Sequence, residues 1–293
     1  MAEDVTGAGE PVAGGFVYPW QMLRQRLAGG PAPVAIADAP PVVRRIGLGD
    51  LRWALARGWE DYAAHRTDVM FLCLLYPVLG LALFRVAIGY DVLPLLFPLA
   101  AGFALLGPLA GTGLYEMSRR REAGEAVTWR SVFAVLRTRG LGAIVVLGLL
   151  FAALFVIWLQ TALAIYEMFL GAAVPVSVGA FLHNVFASRA GWYMIVEGDL
   201  VGLVFAIVAF SVGVVSFPML IDGRFGRRSS EMLSLAVAGS LRAVLTSPGP
   251  MLVWGLIVTA GLIVGSVPLL LGLVVVLPVL GHATWHLYRS VIA

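Results

Sequence analysis

The chain has 293 residues, of which 60% are hydrophobic and only 13% charged, with a mean hydropathy of +0.92. A soluble domain is about 45–50% apolar and about 25% charged, so the charges here are too few to cover a water-facing surface, and a polytopic membrane protein follows. The formal charge of +3 is too small to argue for nucleic acid. All twenty basic residues are arginine, and Cys73 is the single cysteine, which excludes a disulfide within the chain.

Residues 1–48 are rich in Pro, Gly and Ala and are expected to form a disordered cytoplasmic tail. They contain no apolar core of the length a secretory signal needs. Within them, Tyr18–Leu27 mixes aromatic and aliphatic side chains with Arg24 and Arg26, a composition that also fits a membrane surface or a partner. From Asp50, a good N-cap, a helix with Trp53 and Trp59 on its apolar surface and Arg52, Arg57, Glu60 and Asp61 kept polar reads as interfacial.

Residues 49–293 form the membrane domain, and its apolar runs predict six spans: about 69–88, 92–117, 141–163, 200–221, 251–267 and 268–288. Pro77 bends the first, and the prolines at 94, 98 and 108 with several glycines bend the second. The basic loop 118–140 carries a second amphipathic helix over 127–139, with Val132, Phe133, Val135 and Leu136 apolar and Arg130, Arg137 and Arg139 polar. Residues 171–198 form an outer loop in which Val178, Phe181, Leu182, Val185 and Phe186 recur at helical spacing. A third interfacial helix is expected over 230–245, and the Ser266–Pro268 junction is tight enough to make the last two spans a hairpin.

The fold class is therefore all-α: six transmembrane helices in three hairpins, each preceded by a cytoplasmic interfacial amphipathic helix. Eighteen arginines fall in the tail, the two basic loops and the C-terminus, and only Arg85 and Arg189 fall on the other side. The positive-inside rule then puts both termini in the cytoplasm.

Three span exits share a proline followed by polar groups: Pro108 before Glu116, Pro218 before Asp222, and Pro278 before His282 and His286. His282 and His286, four apart, share one helix face. If the exits converge, these two imidazoles and the carboxylates of Glu116 and Asp222 form the polar cluster to examine, with metal binding, headgroup or partner contact, and plain interfacial anchoring as its readings. No resident metal or cofactor is expected. Mid-membrane ionisable residues, the mark of a charge-coupled transporter, are absent, and so are His-Glu-x-x-His, Gly-x-Ser-x-Gly and phosphate-loop patterns. No enzymatic activity is expected.

Val43-Arg-Arg-Ile-Gly-Leu-Gly-Asp-Leu-Arg-Trp53, Ser216-Phe-Pro-Met-Leu-Ile-Asp222 and Pro278-Val-Leu-Gly-His-Ala-Thr-Trp-His-Leu-Tyr-Arg289 resemble the bacterial integral membrane proteins of domain-of-unknown-function family 2189. The resemblance covers about residues 43–290 and departs at one place, where Gly223 stands between Asp222 and Arg224. It implies a multi-pass protein of the bacterial inner membrane and no assigned activity. The expectation for function is a non-enzymatic component that binds membrane lipids or another membrane protein, in support of a larger complex. The alternative is a permease for a small neutral or lipidic molecule.

Overall fold

The computed structural model describes residues 40–293, apart from 66–68, 71, 72, 75–77, 79, 80, 83, 84, 86–92, 173, 174 and 176. Residues 1–39 of the expected tail and most of the first expected span thus lie outside the described residues, while 40–48 are described and lead into the first helix. The described part is helical, and its only β element is an isolated antiparallel bridge between Val43 and Ile292.

α1 (Leu48–Ala64) starts two residues earlier than expected. Asp50 is not its N-cap; it sits at the third helical position, where its Oδ2 accepts from the Gly47 N–H at 2.7 Å. Leu51, Ala54, Gly58, Asp61 and Tyr62 form the buried stripe. α1 packs along α11 (Leu273–Val291). Their axes come close at Gly58, because a Cβ there would lie 2.6 Å from both the backbone nitrogen and the Cβ of Ala283.

The expected second span is broken, as its prolines and glycines demand. A 3₁₀ turn (Leu93–Leu95) leads into α2 (Leu96–Leu105), α3 (Gly107–Ala110) and α4 (Thr112–Glu122). Trp158 donates its indole N–H to the Pro98 carbonyl at 2.8 Å, tying α2 to α5 (Leu141–Leu170).

The expected amphipathic helix over 127–139 is instead a 3₁₀ helix, Trp129–Arg137. With three residues per turn, side chains at i and i+3 eclipse. The apolar set therefore splits: Val132 and Val135 turn inward, while Phe133 and Leu136 stay exposed beside Arg130 and Arg137. Arg130 lies over the Trp129 ring at 5.3 Å.

The expected outer-loop helix is α6 (Val178–Ala187). Ser188 then caps α7 (Arg189–Gly213), its Oγ accepting from the Gly191 N–H at 2.9 Å. The helix thus starts eleven residues before the expected span at 200. α8 (Ser216–Asp222) continues it after a short break. Ser240 of α9 (Ser229–Thr246) heals that break, donating to the Ser211 carbonyl at 2.8 Å and accepting from the Val215 N–H at 3.2 Å. α10 (Pro248–Ser266) joins α11 through a turn with Leu269 and Leu270 at positive φ.

Leu141–Leu170, Arg189–Asp222 and Pro248–Ser266 are long and apolar enough to cross a membrane, with mean hydropathies of 2.8, 2.6 and 1.7. Leu149, Leu150, Ile157, Leu203 and Val204 are among the large apolar side chains they leave exposed. A surface that apolar is stable in hydrocarbon rather than in water. α11 is not in this group, because its second half, from His282 to Arg289, is polar. From His282 to Tyr288 that half is nonetheless buried throughout, with Trp285, Leu287 and Tyr288 in the main core together with Phe217, Leu220 and Trp254.

Candidate functional site

Four elements bring charged groups together at one end of the bundle: α1, α4, α8 and α11. On α4, the spacing of Glu116, Arg119 and Arg120 at i, i+3 and i+4 lets them pair with one another. Arg119 grips Glu116 through Nε and Nη2 at 2.7 and 2.8 Å, and Arg120 adds a third bond at 2.7 Å. Glu116 is 1% exposed, so this neutralisation is what allows its burial. Ser118, Arg121 and Glu122, again at i, i+3 and i+4, reach toward α1 and α11.

Asp61 of α1 is the centre of the polar cluster. Its Oδ1 accepts from Arg121 Nη1 at 2.7 Å, and its Oδ2 accepts from the Ser118 hydroxyl at 2.5 Å and stands 2.9 Å from His286 Nε2. Ser118 Oγ also lies 2.8 Å from His282 Nδ1. Trp53 stands edge-on to the His286 ring at 5.7 Å and covers it. Burial pushes the Asp61 carboxyl up, but the hydrogen bonds from His286 and Ser118 and the histidine charges outweigh it and hold the group below the usual carboxylate range. His282 Nε2 is buried and has no partner among the described residues.

Asp222 ends α8. Gly223, at φ +66, turns the chain in the left-handed conformation that glycine favours. That turn brings Arg224 Nε back to Asp222 Oδ2 at 2.7 Å, so the inserted glycine preserves the ion pair. The Tyr288 hydroxyl donates to the same oxygen, and Arg289 lies 3.6 Å away. Arg289 and the Trp285 indole both reach Glu122 at 3.0 Å.

The four residues singled out from the sequence thus occupy one polar end without forming one ligand set. The histidines meet each other through Asp61 and Ser118. Glu116 and Asp222 are taken up by arginines and Tyr288, and among the described residues neither hydrogen-bonds either histidine. No group of three His, Cys, Asp or Glu side chains suited to a metal occurs among the described residues. Asp61, read from the sequence as part of the polar side of an interfacial helix, is 4% exposed. A signal for it existed: the small and apolar stripe 51, 54, 58 runs on to 61, placing the aspartate on the buried face. Ser118 contacts His282, whereas the imidazole held directly by Asp61 is that of His286, so the order serine–histidine–aspartate of a hydrolase triad is not formed by these four residues.

These features define an all-helical integral membrane protein with a closed polar end. The sequence profile of the family described as a predicted integral membrane protein, DUF2189, matches residues 96–222, and the family resemblance drawn from the sequence is supported. The match runs from α2 to α8 and includes Ser216–Asp222, Glu116 and Ser118. Residues 43–53 and 278–289, which also carried the resemblance, lie outside it. No curated protein and no solved structure is significantly similar to the chain.

Proposed function

We propose that this is a non-enzymatic, six-span component of a bacterial inner membrane, with both termini cytoplasmic, that binds anionic lipid headgroups or a membrane-protein partner in support of a larger complex. The observation that carries this reading is a contrast at the polar end. Inside, Asp61, Glu116 and Asp222 are all engaged by the chain's own side chains. Outside, Trp53, Trp59, Phe133 and Leu136 are exposed among Arg52, Arg57, Arg130 and Arg137. Aromatic side chains interleaved with arginine suit the headgroup layer and partner surfaces alike. On this reading α1, the 3₁₀ helix and α9 are the interfacial helices that precede the three hairpins.

The test is purification in mild detergent with lipid and protein analysis of what stays bound. Anionic phospholipid or a stoichiometric partner is expected, and its retention should fall in Phe133→Ser/Leu136→Ser. A bare monomer with neither would end the reading. The permease alternative draws on the breaks between α2, α3 and α4; solute uptake by proteoliposomes holding the protein would favour it instead.

A further inference from the structure

We infer that His282 Nε2 is a proton-binding site, and that a proton bound there loosens α1 from α11. Ser118 has one hydroxyl hydrogen and two partners, Asp61 Oδ2 at 2.5 Å and His282 Nδ1 at 2.8 Å. Asp61 is ionised, since Arg121 and His286 also donate to it, so the hydroxyl hydrogen goes to the carboxylate. His282 must then carry its proton on Nδ1 and donate to Ser118 Oγ. The other ring nitrogen, Nε2, is left with a bare lone pair, fully buried and without a partner among the described residues.

Charge decides what a proton would do. The groups facing this imidazole are Asp61 and His65 from α1, Ser118 and Arg121 from α4, and His286 from α11. The Asp61 carboxylate, 4.0 Å from Nδ1, favours a charged ring, but Arg121 and His286 already share that carboxylate. A proton on Nε2 would add a charge and an N–H without an acceptor to a side chain only 1% exposed. With α1 in place the ring refuses the proton. With α1 displaced, water reaches the ring and it titrates near the ordinary histidine value of about 6.5. A proton that binds one state and not the other shifts the equilibrium toward the state it binds. On α1, Asp61 stands 4.0 Å from His282, Gly58 abuts the adjacent Ala283 and Trp53 covers His286, so displacing this helix opens the cluster on the side that faces both histidines. This reading is independent of whether the outer face binds lipid or protein.

Four histidines in the whole chain make the test tractable. The wild-type protein in nanodiscs, labelled with nitrogen-15 at histidine, should show His282 at pH 8 with Nδ1 protonated and Nε2 bare. In a Cys73→Ser background, spin labels at the exposed positions Arg57→Cys on α1 and Leu245→Cys on α9 report α1 by pulsed EPR. Below about pH 6.5 the ratio of displaced to seated α1 should rise more steeply than in His282→Gln, by one proton, which is about tenfold per pH unit. Glutamine keeps a donor for Ser118 and cannot titrate. Equal slopes in the two proteins would overturn the inference, as would a His282 ring protonated on Nε2 at pH 8. If His282→Gln does not fold, the wild-type α1 distances decide: an α1 as firmly seated at about pH 5 as at pH 8 would overturn the inference.

Discussion

Gly58 lies where α1 and α11 come closest, and its replacement by alanine tests whether that contact seats the polar cluster. The new Cβ would lie 2.6 Å from the Ala283 nitrogen and 2.7 Å from its Cα. Ordinary contact needs about 3.4–4 Å, so α1 must retreat by close to an ångström. The 2.9 Å His286–Asp61 contact would stretch beyond hydrogen-bonding range with it. Overpacking costs about 1–3 kcal/mol, and a lost hydrogen bond to a charged group costs about 1.5–3 kcal/mol. The better helix propensity of alanine offsets up to about 1 kcal/mol. A net loss of about 1.5–5 kcal/mol is expected. Gly49, in the same helix, has nothing within 4 Å of its would-be Cβ, so Gly49→Ala should be neutral or stabilise by up to about 1 kcal/mol. Thermal unfolding of both variants in one detergent gives the comparison. The reasoning fails if Gly58→Ala melts at or above wild type. It also fails if Ala283→Gly restores Gly58→Ala, because the clash is with backbone atoms that glycine keeps.

Glu116→Gln should cost about 3–5 kcal/mol, because it strands the largely buried Arg119 and Arg120. Glu60→Gln should cost about 0–1 kcal/mol, because the Arg57–Glu60 pair is half exposed; denaturation of both variants should separate them clearly. Asp61 has a depressed pKa, so its stabilising effect is full above the unstructured value of 3.8 and is lost as pH falls through the lower folded value. The gap in melting temperature between wild type and Asp61→Asn should therefore close as pH falls below about 4. For topology, a cysteine at the exposed Ala172 in a Cys73→Ser background should react with an impermeant maleimide in intact cells. One at the exposed Ala126 should react only after lysis, and the reverse pattern would invert the orientation.

Hydropathy made the long spans legible, because a helix in lipid has to be apolar over its whole length. The polar end was only half legible. His282 and His286 declare their shared face by spacing alone, but Asp61 sits among Arg57, Glu60 and Tyr62, and only the tertiary contact with α11 says which of those charges is buried. The segment 129–137 was misjudged for a different reason. An α period and a 3₁₀ period assign Phe133 to opposite faces, and nine residues are too few for the pattern to choose. The early start of α7 had a readable mark in Ser188, an N-cap followed by small residues, which was masked by the charges at 189, 197 and 199.

The pairing of α1 with α11 has a consequence for biogenesis. Asp61 and His286 are 225 positions apart, and the bridge between Val43 and Ile292 spans still more. At about 5–20 residues per second, α1 leaves the ribosome some tens of seconds before its counterpart exists. During that interval its buried stripe and its carboxylate must be sheltered by headgroups or by a helper protein. Closure of the bundle thus waits for α11, and a chain shortened before α11 would insert its earlier helices yet leave α1 without a seat.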